Sequence, residues 1–93
     1  MVKVCYPAIF HPEEVGYSVM VPDFDQVNIG CVTQGDTFEE ACSMAFDAIK
    51  LCIETLINEG KALPVASKLE GIEKRAGDFV VPITVDNELG VSL

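Results

Sequence analysis

The stretch from Thr37 to Gly60 constrains this chain more than any other, because its pattern fits only one long helix. Thr37 followed by Glu40 satisfies the capping-box spacing, in which the hydroxyl takes the amide of the third helical residue and the glutamate reaches back. Asp36, Glu39 and Glu40 place negative charge at the positive end of the helix dipole. The spacing predicts a helix from Phe38 to Asn58 or Glu59, stopped by Gly60. Phe38, Cys42, Ala45, Ile49, Cys52, Ile53 and Leu56 form its apolar stripe, and Glu39, Glu40, Ser43, Asp47, Lys50, Glu54 and Asn58 lie opposite. Met44 and Leu51 widen the apolar arc on one flank, and Phe46 and Ile57 widen it on the other. The arc reaches roughly 200°, against the ~100° that docking on one sheet face requires. Two readings are open: a helix set deep in a curved sheet, or one that also packs on a second subunit through one of these flanks.

The rest of the chain supplies strands for that helix to lie on. Val2, Val4, Tyr6, Ala8 and Phe10 alternate with Lys3, Cys5, Pro7 and Ile9, and Pro7 points to an edge position or an irregularity. A polar turn, His11-Pro12-Glu13-Glu14, leads into a second alternating run, Val15, Tyr17, Val19 and Val21, which predicts a β-hairpin. Pro22-Asp23-Phe24-Asp25-Gln26 breaks that strand, and a third is expected over residues 29–34. After the helix, Leu63-Pro64 prevents its resumption, and residues 67–74 have the pattern of a short second helical turn. Gly77-Asp78 is a turn, followed by a strand over residues 79–85 in which Pro82 again indicates an edge or a break in pairing. The expected fold is α+β, in the order β-β-β-α-β, with the helix on a mainly antiparallel sheet in a single domain, residues 1–93.

Charge narrows the function. Fifteen carboxylates against 6 Lys and Arg give a net charge of -9, which repels phosphates and argues against direct nucleic-acid binding. Such a surface attracts a basic protein, or merely maintains solubility. Hydrophobic residues make up 49% of the chain and the mean hydropathy is +0.33, more apolar surface than one small monomer can cover. Self-association as a homodimer or higher homo-oligomer follows, with Met44, Leu51, Phe46 and Ile57 as candidate contacts. Cys5, Cys31, Cys42 and Cys52 form no C-x-x-C pair and His11 has no ligand companion, so no metal or cofactor site is expected. With no signal peptide and no apolar run long enough to span a bilayer, the chain reads as cytoplasmic and free of membrane contact.

The candidates for catalysis fail one by one. Two-metal nucleases need acids on the first strand, the central helix and the last strand, and the first strand here has none. Asp47 therefore lacks a partner and belongs to a solvated helix face. His11 sits in a polar turn, the cysteines lack the basic neighbours that activate a thiol, and Gly30 and Gly35 form no phosphate-cradling loop. Pro22, Asp23, Phe24 and Asp25 are the best candidate partner-contact loop, combining a rigid proline, an aromatic and two acids. The alternative is an ordinary turn with Phe24 folded onto the core.

Tyr6-Pro7-Ala8, Gly16-Tyr17-Ser18-Val19, Pro22-Asp23, the run from Cys31 through Gln34-Gly35-Asp36-Thr37-Phe38 to Ala41, and Leu63-Pro64 together resemble the HicB family of antitoxins. The resemblance covers residues 2 to about 85, and Gly35-Asp36-Thr37 at the helix start is its most specific part. It implies a partial ribonuclease H-like fold and the antitoxin role of a type II toxin–antitoxin pair. The implied partner is a small, basic, RNA-cleaving HicA-type toxin, which such proteins neutralise by covering its surface. Residues 24–29 are longer than the connection usual in the family, and the chain reaches Leu93 before any DNA-binding segment, so DNA binding is not carried over. A stand-alone small nuclease or hydrolase, or an orphan protein-binding domain, are the alternatives.

Overall fold

Alternation builds four strands in the computed structural model, which describes residues 3–86: β1 (Lys3–Pro12), β2 (Tyr17–Met20), β3 (Val32–Gly35) and β4 (Phe79–Asp86). Between β3 and β4 runs a single long helix, α1 (Phe38–Asn58). The strands form one sheet in the order β3-β2-β1-β4, antiparallel throughout, so the fold is α+β as the pattern requires. Tyr6, Ala8, Phe10, Val19, Ile83 and Val85 line one face of the sheet, and Ala41, Ala45, Ile49, Ile53 and Leu56 of α1 close over them in one apolar core.

Both helix ends are fixed by the residues that predict them. The Glu40 amide donates to Thr37 Oγ1 (3.0 Å), while Glu40 Oε1 accepts from the Asp36 amide (3.3 Å), one residue further out than the standard capping box. At the other end Gly60 has φ +70°, and the amides of Gly60 and Lys61 donate to the carbonyls of Ile57 (3.0 Å) and Leu56 (2.9 Å). That pair of bonds is a Schellman stop.

Two glycines hold the hairpin, β3 and the helix together backbone to backbone. Gly16 has φ +77°, and a Cβ there would lie 2.0 Å from the Gly35 carbonyl oxygen. A Cβ on Gly35 would in turn lie 2.4 Å from the Ala41 nitrogen. Only residues without a side chain allow this stack.

Several expectations change. β1 is central in the sheet, not at its edge; Val2 lies outside the described residues. Pro7 is accommodated because β2 pairs only with Ile9 to Pro12, so no strand lies beside it on that side. It faces Pro82 across the β1–β4 ladder, a position where neither residue donates to the other strand. Pro82 does lie on an edge strand. The third strand starts at Val32 instead of Ile29, because a 3-10 segment, Pro22–Val27, ends at Asn28 in the left-handed conformation (φ 59°). Within residues 67–74 only a 3-10 turn, Leu69–Gly71, forms. On the helix, Phe38 is 43% exposed, whereas Ala41, outside the expected stripe, is fully buried against Gly35. The sheet does not cover the whole apolar arc: Met44, Phe46 and Leu51 remain at the surface, while Ile57 packs half-buried against the core.

Candidate functional site

The loop singled out as a recognition element turns inward. Phe24 is fully buried, its ring 4.9 Å from that of Tyr6, and Asp23 is only 4% exposed. The Asp23 carboxylate accepts from the Ser67 amide (2.8 Å) and the Ser67 hydroxyl. The Tyr6 hydroxyl donates to the Pro64 carbonyl (2.8 Å), and Gln26 Nε2 donates to the Val65 carbonyl (3.1 Å). Burial, and then the charge of Asp23, push the Tyr6 hydroxyl above its ordinary pKa and keep it a neutral donor. These bonds fasten residues 64–67 to Tyr6 of β1 and to Asp23 and Gln26 of the loop after β2. Pro22 is half-buried, and Asp25 alone of the four is exposed.

A second cluster lies on the sheet face away from α1. A cleft of about 450 Å³ is lined by Ile9, His11, Ser18, Met20, Glu73, Lys74, Arg75 and Asp78. His11 Nδ1 donates to Asp78 Oδ1 at 2.5 Å, a contact between residues 67 positions apart. Ser18 is the cross-strand neighbour of His11, so serine, histidine and aspartate sit together. The Ser18 hydroxyl, however, donates to Glu13 Oε2 (2.8 Å), with His11 Nε2 4.0 Å from that same carboxylate. The serine proton is directed to Glu13 and not to the imidazole, which is not the nucleophile–base geometry of a hydrolase. Sequence reasoning missed the His11–Asp78 pair; the signal available was the Gly77-Asp78 turn directly before the last strand.

That pair predicts a pH effect. The hydrogen bond from His11 holds the Asp78 carboxyl below its ordinary value of 3.8, opposed in part by burial and aided by the charges of His11 and Arg75. A carboxyl with a depressed folded pKa contributes stability that is full above its unfolded value and is lost as pH falls through the folded one. Urea midpoints of the wild type and Asp78→Asn are therefore expected to differ above about pH 4 and to converge below about pH 3. A gap of equal size at pH 2 would assign the effect to packing instead.

The cysteines sit away from both clusters as chemistry. Cys31 is buried beside the Cys52 thiol, and burial first, then that neighbour, pushes its pKa up to about 12. Cys42 is likewise raised, by burial and then by Glu39. Thiols of this kind are poor nucleophiles. Among the described residues no group of three or more His, Cys, Asp or Glu side chains is placed to hold a metal ion, and no helix is long and apolar enough to cross a membrane. Asp47 is exposed on α1, together with Glu39 and Glu40.

The family described as HicB_like antitoxin of bacterial toxin-antitoxin system has a sequence model that matches residues 6–88. The chain belongs to the HicB-like antitoxin family. It is 39% identical over 86 residues to antitoxin HicB 1 of Photorhabdus laumondii, an alignment covering 90% of this chain and 49% of that protein. The chain spans about half the length of the curated HicB antitoxins it matches. Its fold is similar to the crystal structure of the N-terminal domain of Burkholderia pseudomallei antitoxin HicB, with TM-score 0.70, 28% identity and coverage of 89% and 99% of the two chains. It is also similar to a chain of the HicA3 and HicB3 toxin-antitoxin complex, with TM-score 0.67, 26% identity and coverage of 89% and 96%.

The HicB-like motifs acquire a physical meaning from the fold. Tyr6, Asp23 and Pro64, drawn from three separate motif segments, meet in the fastening described above. Gly16 and Gly35 make the backbone stack. Tyr17 and Phe38 join Phe10 and Phe79 in an aromatic cluster with ring centroids 5.5 to 6.1 Å apart. The HicB signature in this chain is thus made of residues engaged in holding the fold together.

Proposed function

We propose that this chain is the antitoxin of a type II toxin–antitoxin pair, a cytoplasmic protein that binds a small, basic, RNA-cleaving toxin of the HicA type and masks its catalytic surface without catalysing a reaction itself. The observation that carries this reading is the family match over residues 6–88. The solved complex of HicA3 with HicB3, to whose fold this one is similar, supports the class of partner. Charge supports it too: α1 carries Glu39, Glu40, Asp47 and Glu54 against the single cation Lys50, and Asp25 is exposed on the loop after β2. A surface of that sign accelerates encounter with a basic protein.

The test is to mix the purified chain with a purified HicA-type toxin, taken first from any small basic reading frame adjoining its gene, and follow RNA cleavage. Cleavage is expected to fall to background once the chain is in molar excess. Charge reversal at exposed sites, Glu39→Lys with Asp47→Lys on α1 or Asp25→Lys on the loop, is expected to slow association about tenfold and to flatten its salt dependence, with the melting curve little changed. A variant whose association rate and salt slope match the wild type removes its surface from the interface. Cleavage of RNA by this chain alone, with magnesium or manganese, and its loss in Asp47→Asn, would overturn the antitoxin reading in favour of a nuclease.

A further inference from the structure

Two cross-strand rows run over the sheet face away from α1 and floor its cleft. Ile9 faces Met20 across β1 and β2, and Met20 faces Val32 across β2 and β3. Two residues along, on the same side of the pleat, His11 faces Ser18 and Ser18 faces Gln34. An apolar row thus lies beside a polar one. Ile9 is buried although it stands outside the core beneath α1, whereas Met20 is 41% exposed.

The wall of the cleft comes from the segment that leads into β4. Glu73, Lys74, Arg75 and Asp78 line it together with the floor residues. The Asp78 amide donates to the Arg75 carbonyl (3.0 Å), which closes a turn, and the hydrogen bond from His11 to the Asp78 carboxylate ties that turn to β1. The two cations beside the turn are thereby held over the floor.

Both signs of charge meet there. Asp78 is engaged by His11. Lys74 and Arg75, the one adjacent pair of cations in the sequence, are exposed and make no ion pair among the described residues. Glu73 is exposed beside them, and Glu13, which takes the Ser18 hydroxyl, adjoins the polar row. The volume of about 450 Å³ falls within the ~300–1,000 Å³ of small-molecule sites. A simple anion would meet Glu73 and Glu13, and a simple cation would meet Lys74 and Arg75. An uncharged apolar molecule would cover the floor and leave all four charges unanswered.

We propose that this cleft binds a small apolar zwitterion of the aliphatic α-amino acid class. Its carboxylate lies on Lys74 and Arg75, the guanidinium fork matching the two carboxylate oxygens. Its ammonium turns towards Glu73 and Glu13, and its side chain lies on Ile9 and Met20. Ser18 directs its proton to Glu13, so the ligand is held and not attacked. The site does not rest on the antitoxin reading, and a failure to bind toxin would leave it standing.

Leucine is the probe. A titration followed by amide chemical shifts is expected to give a dissociation constant of about 1 mM, with the shifts concentrated at Ile9, His11, Met20 and Arg75. Isocaproate lacks the ammonium, isoamylamine the carboxylate and glycine the apolar body; each is expected to bind at least about tenfold more weakly. N-acetyl-leucinamide keeps the body without either charge, as in the interior of a peptide, and is expected not to bind. Lys74→Ala with Arg75→Ala changes only exposed side chains. It is expected to weaken leucine about tenfold and to leave isoamylamine unchanged, a split that general loosening of the fold would not produce. The site is overturned by the absence of shifts at about 20 mM leucine, by shifts away from the cleft, or by leucine affinity that survives the double substitution. Isocaproate or N-acetyl-leucinamide binding as well as leucine overturns the zwitterion. If the variant does not fold, the analogue series on the wild type decides.

Discussion

Gly35→Ala is expected to destabilise the protein by about 3 kcal/mol and to lower its melting temperature by roughly 15 °C. The added methyl would lie 2.4 Å from the Ala41 nitrogen and 2.6 Å from its Cα, both backbone atoms of the helix. No side-chain rotation relieves such a contact, so the first turn of α1 must lift from β3 or the strand must bend. Gly16→Ala should be worse, because φ +77° disfavours any side chain and its methyl would press on the Gly35 carbonyl at 2.0 Å. Gly60→Ala is the control: its φ is also positive, but nothing lies within 4 Å of the added atom. Its cost should be the backbone strain alone, about 1 kcal/mol. Thermal melts of the three variants check the order, and a Gly35→Ala protein as stable as the wild type would show that the stack can open without loss.

Asp23→Lys is expected to cost about 3 kcal/mol or more, while Asp25→Lys, two residues away, should change stability by less than about 0.5 kcal/mol. Asp23 is 4% exposed and accepts two hydrogen bonds from Ser67. Lysine has no acceptor, so the Ser67 amide would lose its partner as a cation entered the same buried space. Asp25 is exposed, and no side-chain hydrogen bond to it is formed among the described residues. Urea titrations of the two variants make the contrast measurable. Equal midpoints would mean that residues 64–67 contribute nothing to holding the fold.

The helix was legible in the sequence because its signals are local: Thr37, Glu40, Gly60 and the spacing of Ala45, Ile49, Ile53 and Leu56 need no knowledge of what lies opposite. The strands were legible for the same reason, since alternation is written residue by residue. What escaped depends on distant partners. Pro7 suggested an edge strand or an irregularity, and which of the two holds is decided by where β2 stops. Pro22-Asp23-Phe24-Asp25 has the composition of an interface, but Tyr6 and Ser67 draw Phe24 and Asp23 inwards from 18 and 44 positions away. His11 looked like an exposed turn residue because Asp78 lies 67 positions further on. Ala41 escaped the apolar stripe because an alanine is small, and it is buried by Gly35 being smaller.

The β1–β4 ladder has a kinetic consequence. It joins Lys3 to Asp86 and Phe10 to Phe79, so the central strand finds its second neighbour only at the far end of the described chain. Pairings this distant in sequence form slowly, in the millisecond-to-second range, whereas a hairpin such as β1–β2 closes in microseconds. During synthesis the delay is longer still. At ~5–20 residues per second, roughly ten seconds pass between the emergence of β1 and that of the 8 residues of β4. Throughout that interval β1 has one bare edge, and the helix lacks Ile83 and Val85 beneath it. A newborn copy is therefore exposed to proteases and to wrong strand pairing until its last strand docks.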